Sequence, residues 1–261
     1  MVTYTVATPK GGVGKSTTAA ELVLALSQRR RRVLAIDLDQ QGNLTARMGL
    51  TASSEVDGTT ADVLAGELDL DQATTPSPAL GGVDVLAGTH ALADTEAAPP
   101  ADLTTFLRDE LPAHAGRWDE VVIDTPPSVG ALTQAGLAAA DVIIAPVTPS
   151  VEAYDQLRRL TAVLDARIAK RVNRGAQISW VVPVAFDSRA EAGRGRLLDR
   201  EIFTQLCNTY LGRVTPPVRD SVTARDAYLE SLPVGAYAPG TPVANDYAEA
   251  ARVIIEGATR S

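Results

Sequence analysis

The sequence predicts an α/β fold in which a doubly wound, mostly parallel sheet is flanked by helices. Short apolar runs such as VLAID, VVIDT and VIIAPV are nearly continuous, which is typical of strands covered on both faces. Longer helical patterns alternate with these runs, and such alternation is typical of parallel sheets. A glycine-rich turn stands between the first strand and the first helix. A ligand crevice is therefore expected at the carboxyl ends of the strands.

The individual elements follow from the apolar periodicity along the chain. Strands are expected at Val2–Thr8, Arg32–Asp37, Val83–Ala87, Glu120–Asp124, Asp141–Pro146 and Ile178–Ala185. Helices are expected at Ser16–Gln28, Thr104–His114, Glu152–Arg171, Arg196–Leu211 and Val243–Ile255. The segments Thr51–Pro78 and Ala93–Asp102 show less regular patterns. Because no long linker or repeat interrupts the alternation, we expect residues 1–261 to form one P-loop-type domain.

Composition and charge narrow the classes of function. The chain has 24 basic and 32 acidic residues, for a formal net charge of -8. Between Met48 and Glu120 lie 14 acidic residues but only Arg108 and Arg117 as basic ones, so the rest of the chain is mildly basic. One cysteine, Cys207, cannot form an internal disulfide or hold an iron–sulfur cluster alone. No run approaches the roughly 20 apolar residues of a membrane span, and no signal peptide is visible, so we expect a cytoplasmic protein.

The strongest local pattern is KGGVGKST at Lys10–Thr17, between the first strand and the first helix. A phosphate-binding loop needs glycine because its backbone N–H groups wrap the phosphates where Cβ atoms would collide. Lys15 is expected to reach the β- and γ-phosphates, and the Ser16 hydroxyl to hold Mg²⁺. Pro9 stands where the standard motif has its first glycine. The alternative, an incidental glycine-rich turn, does not explain why two of only three lysines lie in this loop.

Lys10 is the unusual member of this loop, because an ordinary P-loop does not require a lysine before its two glycines. With Lys10 the segment resembles the deviant Walker A box of the ParA/MinD family of ATPases. The resemblance implies a homodimer that encloses ATP and Mg²⁺, in which each signature lysine reaches the phosphates bound by its partner. It also implies roles in hydrolysis for Lys10 and Lys15, and nucleotide contacts by Lys10, Gly11, Gly12, Val13, Gly14, Lys15, Ser16 and Thr17.

Two further boxes place carboxylates at strand ends. Asp37 and Asp39 follow the second strand and Asp124 ends the VVID strand, so all three are expected near the loop. The first box resembles the family's DxDPQGN switch, with Gln40 in place of proline. By this resemblance Asp39 is the catalytic residue that orients the attacking water, and Asp37 supports Mg²⁺. The second box resembles a Walker B strand, which assigns Asp124 to the Mg²⁺ site with Ser16. For the first box alone, a polar strand-end turn is the alternative.

Later parts of the chain resemble the small ParA class or its Soj-like chromosomal relatives. The stretch PVAFDSR ends at Arg189, and in the segment Thr215–Asp226 we expect Pro217 to border the adenine. The last helix carries mixed charges, unlike the basic membrane helix of MinD-type members. No helix-turn-helix region precedes the loop. Membrane cycling of the MinD kind is kept as the alternative function, and a metabolic P-loop ligase as a third.

In the small ParA class, the ATP-bound dimer binds DNA without sequence preference. A ParB-type or other small adaptor protein then stimulates a slow intrinsic hydrolysis. The resemblance implies this activity here, together with partition or positioning of a plasmid, chromosome or other cargo and nucleoid association in the ATP-bound state. Arg189, Arg219 and Arg225 are the expected DNA contacts, with Arg194 and Arg196 next. For each arginine, an ordinary surface residue paired with a carboxylate is the alternative.

Overall fold

Eight strands form one sheet with helices on both faces, in a computed structural model that describes residues 1–51, 53–187 and 189–259. The strands are β1 (Val2–Val6), β2 (Val33–Asp37), β3 (Thr75–Pro76), β4 (Val83–Leu86), β5 (Glu120–Asp124), β6 (Val142–Val147), β7 (Ile178–Phe186) and β8 (Val218–Arg219). Their order is β3-β4-β2-β5-β1-β6-β7-β8, and of the paired strands only β3 and β4 are antiparallel. The predicted doubly wound α/β fold is confirmed.

The register of the central strands brings three chain segments to one edge of the sheet. Val6 of β1 lies opposite Asp124 of β5, and Asp37 of β2 also lies opposite Asp124. Parallel strands end at the same edge, so the segments that follow these three residues leave the sheet side by side. The three sequence boxes therefore meet although they are far apart in the chain.

Most helices lie between strands in the chain, and α10, α11 and α12 follow the last strand. They are α1 (Lys15–Gln28), α2 (Asn43–Arg47), α3 (Thr60–Leu64), α4 (Leu70–Ala73), α5 (Leu92–Ala97), α6 (Leu103–Glu110), α7 (Ala131–Ala139), α8 (Val151–Val163), α9 (Leu197–Thr209), α10 (Val222–Leu229), α11 (Val234–Tyr237) and α12 (Pro242–Ala258). Within the described ranges, every helix falls short of the length and hydrophobicity that a membrane crossing requires.

Both faces of the sheet are covered, which explains the nearly continuous apolar runs. Val33 and Ala35 of β2 belong to a buried cluster with residues of α1 and α12. Leu34 and Ile36 alternate with them and join a cluster with residues of α3, α6 and α7 on the opposite face. This three-layer packing fixes the strand ends, and hence the positions of the loops at the edge of the sheet.

Several elements differ from the expectations. The helix expected over Glu152–Arg171 is α8 followed by a π-helical turn at Leu164–Ile168, and the end of the helix expected over Thr104–His114 is a 3-10 turn. α7 was not expected, because ALTQAGLAA is apolar on nearly all sides and most of its residues are buried. Its sequence therefore lacks the one-sided pattern of a surface helix.

Candidate functional site

The glycine-rich loop joins β1 to α1 through left-handed backbone. Gly12 has a φ of 71° and Gly14 a φ of 85°, which residues with a Cβ atom rarely adopt. A Cβ atom at Gly14 would also lie 3.0 Å from Cγ1 of Val184. α1 begins at Lys15, and no side chain caps its N-terminus. Because the first N–H groups of a helix have no partner within the helix, this end of α1 is suited to bind an anion.

Lys15 brings a buried ammonium group to the loop. Its side chain is only 6% exposed, and its Nζ donates a hydrogen bond to the Lys10 carbonyl oxygen at 3.0 Å. Burial lowers the pKa of Lys15, whereas the charges of Asp124 and Asp39 act in the opposite direction. An ammonium group has three donors, so a single carbonyl partner leaves Lys15 suited to take up phosphate oxygen atoms.

Asp37 organises the segment that follows β2. Its Oδ1 accepts a hydrogen bond from the Asp39 N–H at 3.0 Å, and its Oδ2 accepts from the N–H and the hydroxyl of Thr45, both at 2.9 Å. Burial raises the pKa of Asp37 to about 6, although these hydrogen bonds favour the ionised form. Gly88 is required beside it, because a Cβ atom there would lie 2.8 Å from Cγ of Asp37. Asp37 thus fixes the backbone around Asp39, and its support of Mg²⁺ stays a prediction.

Asp39 lies in a tight turn at the same edge. The Gln41 N–H donates to Asp39 Oδ1 at 3.0 Å, and the Gly42 N–H donates to the Asp39 carbonyl oxygen at 3.0 Å. Gln40, which replaces the family's proline, is exposed in this turn. The turn therefore forms without proline, and Asp39 is held by backbone donors on both its carboxylate and its carbonyl group.

Asp124 is the least satisfied polar group of the site. It is fully buried, and neither carboxylate oxygen has a hydrogen bond of good geometry among the described residues, although the Ser16 hydroxyl lies close enough to act on its pKa. Burial and the charge of Asp37 raise its pKa well above the usual range, while Ser16 and Lys15 lower it only in part. Two orphaned carboxylate oxygens next to a hydroxyl are hard ligands of the kind that Mg²⁺ prefers. The residues present therefore fit a magnesium ion held by Asp124 and Ser16.

Two adjoining cavities open beside the loop. The first, of about 340 Å³, is lined by residues of all three boxes, including Lys15, Ser16, Asp39 and Pro127. The second, of about 500 Å³, extends from the loop toward Arg219 and Asp220. Five residues line both cavities: Gly12, Gly14, Thr17, Arg47 and Tyr228. Together the cavities offer one continuous place for an elongated ligand with a phosphate chain.

Sequence reasoning missed Arg47 and Tyr228. Tyr228 belongs to α10, and its hydroxyl donates to Oδ1 of Asn43 at 3.0 Å. The Arg47 guanidinium stacks over the Tyr228 ring, with Cζ 5.2 Å from the ring centroid. Asn43 and Arg47 lie one helical turn apart, in a segment that the sequence already placed near the loop. The four-residue spacing from Asn43 could have identified Arg47 from the sequence. No local sequence pattern identifies Tyr228.

Lys10 does not line either cavity. Its Nζ lies 2.8 Å from Oε2 of Glu152 and 3.5 Å from Oγ of Ser150, at the start of α8. This contact with Lys10 lowers the pKa of Glu152. Within one chain, the signature lysine is thus paired with its own α8, and its reach across a dimer stays a prediction.

The three arginines expected to contact DNA lie in different surroundings. Arg189 forms a bidentate pair with Asp187 at 2.9 and 2.7 Å. Arg219 forms a bidentate pair with Asp246 at 2.5 and 2.9 Å and lines the second cavity. The Arg225 side chain is 69% exposed, and its partner Asp220 lies 3.8 Å away. Arg225 is therefore the freest of the three cations.

Some of the other residues named from the sequence line the cavities, and some lie away from them. Gly11 and Ser16 line the first cavity and Val13 the second, but the buried Pro217 lines neither. Arg196 pairs with Asp199 at 2.9 Å, while Arg194 lies in the loop before α9. The contact of Pro217 with adenine stays a prediction.

A glycine-rich loop before α1, a buried lysine and two strand-end aspartates define a P-loop nucleotide-binding protein. Comparison with known families agrees: residues 1–178 match the family described as an AAA domain. These residues contain all three boxes. The chain belongs to the ParA/MinD-type family of P-loop ATPases.

Two relatives illustrate the similarity. The chromosome-partitioning ATPase Soj of Thermus thermophilus is 30% identical over 263 residues, which cover 95% of this chain and 93% of that protein. The chromosome partitioning protein ParA of Myxococcus xanthus is 33% identical over 183 residues, which cover 69% of this chain. That match spans 64% of the length of the Myxococcus protein.

Two solved structures share the fold. Apo McdA from Cyanthece has a TM-score of 0.84 at 20% identity, with 98% of this chain and 99% of that chain covered. At this identity the similarity concerns the fold alone. Cobyrinic acid a,c-diamide synthase from Mycobacterium smegmatis, solved with ADP and magnesium, has a TM-score of 0.78 at 26% identity, with 97% and 93% covered.

Proposed function

We propose that this protein is a ParA-type ATPase that binds ATP and Mg²⁺ at the Lys10–Thr17 loop and couples slow hydrolysis to reversible DNA binding. One observation carries the proposal: the buried carboxylate of Asp124, which lacks a hydrogen bond of good geometry within the described ranges, lies at the edge of the sheet where Lys15, Ser16 and Asp39 meet. A buried cation beside a buried anion without hydrogen bonds is costly unless a ligand completes the site. The similarity to chromosome-partitioning relatives supports an ATPase of this class and DNA as its cargo.

The proposed hydrolysis of ATP uses backbone and side-chain groups at the edge of the sheet. The loop backbone and the N-terminus of α1 bind the phosphates, and Lys15 exchanges the Lys10 carbonyl oxygen for phosphate oxygens. The Gln41 N–H fixes one carboxylate oxygen of Asp39, so the other can accept a hydrogen bond from water and orient it toward the γ-phosphate. Magnesium held by Asp124 and Ser16 would neutralise charge that develops on the phosphates.

The resemblance assigns Lys10 to the ATP site of a second subunit. For that role Lys10 must leave Glu152, which is itself exposed at the surface. Exchange of an exposed ion pair costs little, because such pairs contribute little net free energy. ATP-dependent formation of a homodimer is therefore compatible with the Lys10–Glu152 contact, and each released Lys10 would face the partner's phosphates.

DNA binding is proposed to depend on exposed arginines, with Arg225 as the principal contact. Arg189 and Arg219 are already paired with carboxylates, so a phosphate must compete with Asp187 and Asp246 for them. A dimer doubles the number of contacts, and few phosphate contacts give weak, salt-sensitive binding. Such binding suits a protein that associates with the nucleoid in its ATP-bound state and is released when a ParB-type or other small adaptor stimulates hydrolysis.

The experiment that tests this function measures DNA binding and oligomeric state with ADP, ATP and a slowly hydrolysed ATP analogue across salt concentrations. We expect dimers and DNA binding with ATP and the analogue, and monomers with ADP. The Lys15→Ala variant serves as the control that should bind no nucleotide. DNA binding of equal strength without nucleotide would contradict the proposed cycle.

The same samples test the alternative functions. Co-sedimentation with anionic liposomes in the presence of ATP would favour MinD-like membrane cycling. The apolar side of α12, including Tyr247, Ile254 and Ile255, is buried against the core, which leaves that face unavailable to a membrane. ATP-dependent amide formation on a carboxylate substrate, without any effect of DNA, would favour a metabolic ligase.

A further inference from the structure

Arg47 is a buried cation that forms no ion pair with a carboxylate in the part of the chain that the structure describes. Its side chain is 5% exposed, although arginine is rarely buried unless it is paired. Its contacts among the described residues are one hydrogen bond of 3.3 Å from Nη1 to the Leu232 carbonyl oxygen and the stack over Tyr228. A guanidinium group has five N–H donors, so most of its donor capacity is unused by the protein.

The neighbouring carboxylates do not compensate this charge directly. Among the carboxylates, Glu21 has the largest electrostatic effect on Arg47, but its two oxygens accept hydrogen bonds from the N–H groups of Val234 and Gly235. Asp124 acts on Arg47 only through its more distant charge. Burial lowers the pKa of Arg47. Burial of an arginine without an ion-pair partner lowers the stability of the folded protein. We therefore infer that an anion from outside the chain binds to Arg47.

The position of Arg47 identifies where that anion would lie. Arg47 lines both cavities, together with Gly12, Gly14 and Thr17 of the loop. Ser16 and Asp39, which belong to the hydrolytic end, line only the first cavity, and Arg219 lines only the second. Arg47 therefore lies at the junction, where the phosphate chain passes from the hydrolytic end toward the nucleoside.

We propose that Arg47 is a nucleotide-binding residue that contacts the α- or β-phosphate from within the same chain. This inference rests on the proposed ATP site and adds a contact that none of the three boxes contains. Tyr228 is its positioning residue, because its ring supports the flat face of the guanidinium and its hydroxyl is anchored on Asn43. The planar guanidinium can donate two parallel hydrogen bonds to one phosphate group.

The test compares Arg47→Met with the wild type. Methionine keeps an unbranched, apolar side chain that can remain against Tyr228, but it removes the charge and the donors. Calorimetric titration in the presence of Mg²⁺ gives the dissociation constants for ATP and ADP. Both affinities should fall by about 10- to 100-fold, as for loss of a charge-assisted hydrogen bond. Unchanged affinities, or a loss confined to ATP, would overturn the proposal, since the latter indicates contact with the γ-phosphate.

The melting temperature without nucleotide separates a ligand contact from a structural role. Replacing an unpaired buried charge by an apolar side chain of similar length should leave that temperature unchanged or raise it. A clear decrease, with unchanged nucleotide affinity, would show that Arg47 serves the fold. Arg47→Gln provides a second variant with the same expected losses of affinity, should the methionine variant fail to fold.

Two controls complete the experiment. Arg252→Met removes an arginine that pairs with Glu249 and Glu256 on the surface of α12, and it should leave both affinities unchanged. Wild-type protein that binds neither ATP nor ADP would refute the proposed function itself. Wild-type protein that binds both, beside an Arg47 variant that binds them equally well, would refute only the role of Arg47.

Discussion

Replacement of Asp124 by asparagine should stabilise the protein without nucleotide and remove its response to Mg²⁺ and ATP. Asp124 is fully buried, its carboxylate oxygens have no hydrogen-bond partner in the described part of the chain, and Asp37 lies opposite it in the sheet. Burial and the charge of Asp37 raise the pKa of Asp124 well above its usual range. Ionised Asp124 is therefore costly to the folded protein, and asparagine avoids that cost.

Asp37 provides the scale of this effect. Burial raises its pKa from 3.8 to about 6, and a difference of about 2 in pKa corresponds to about 3 kcal/mol. The asparagine amide at position 124 would itself lack well-placed partners, which costs about 1–3 kcal/mol. The expected net gain in the free energy of unfolding is about 0–2 kcal/mol at neutral pH. In a protein of this size, such a gain raises the melting temperature by up to roughly 8 °C.

The gain should depend on pH in a defined direction. A carboxyl group whose pKa is raised by folding binds more protons in the folded than in the unfolded protein. As the pH increases from the ordinary pKa toward the raised value, the wild type therefore loses stability, and Asp124→Asn does not. The difference in melting temperature should be small near pH 4, which is about the ordinary pKa of aspartate, and grow toward neutral pH.

Thermal unfolding followed by fluorescence at several pH values, with and without Mg²⁺ and ATP, measures both effects. ATP at about 100 times its dissociation constant should stabilise the wild type by about 2.7 kcal/mol, and the variant much less. Asp57→Asn, at an exposed carboxylate outside the site, serves as the matched control. A lower melting temperature for Asp124→Asn at pH 7, or a response of this variant to Mg²⁺ and ATP as large as that of the wild type, would refute the reasoning.

Three further predictions concern the cycle. Asp39→Ala should lower ATP turnover by about 100-fold or more while ATP-dependent DNA binding persists, as measured by phosphate release and DNA retention; normal turnover would contradict its catalytic role. Glu152→Gln should free Lys10 without changing the melting temperature, so that ATP-dependent dimers form at equal or lower protein concentration in light scattering. Arg225→Gln should weaken DNA binding and reduce its salt dependence by about one phosphate contact, more than Arg189→Gln, and equal effects would contradict this ranking.

The site could be predicted from the sequence where its parts are local. The Lys10–Thr17 loop carries its own signal, because glycine positions and a following helix are encoded by neighbouring residues. The meeting of Asp37 with Asp124 also follows from local patterns, since parallel strands that both end in aspartate bring those ends to one edge. The fold class was predictable for the same reason, because each nearly continuous apolar run indicates a strand that is covered on both faces.

Contacts between distant segments were not predictable. The pairs Arg219–Asp246 and Arg47–Tyr228 each join two different elements of secondary structure, and neither leaves a spacing pattern in the chain. Arg219, one of the arginines named as DNA contacts, is therefore neutralised by a partner that only the fold reveals, whereas Arg189 pairs with Asp187 two residues before it. α7 was missed for a different reason, because a helix buried on most sides lacks the polar face on which periodicity depends.

The three cations around the loop share one property that links the proposed functions. Lys15 donates to the Lys10 carbonyl oxygen, Lys10 pairs with Glu152 of α8, and Arg47 contacts the Leu232 carbonyl oxygen and Tyr228 of α10. The hydrogen-bond acceptors among these partners are neutral carbonyl groups or an exposed carboxylate, and a polyphosphate can compete with them because it offers several anionic oxygens at once. Nucleotide binding would therefore act at once on α8, beside the proposed dimer contact, and on α10, which carries Arg225. In the proposed cycle, binding of ATP would in this way be connected to dimerisation and to DNA contact.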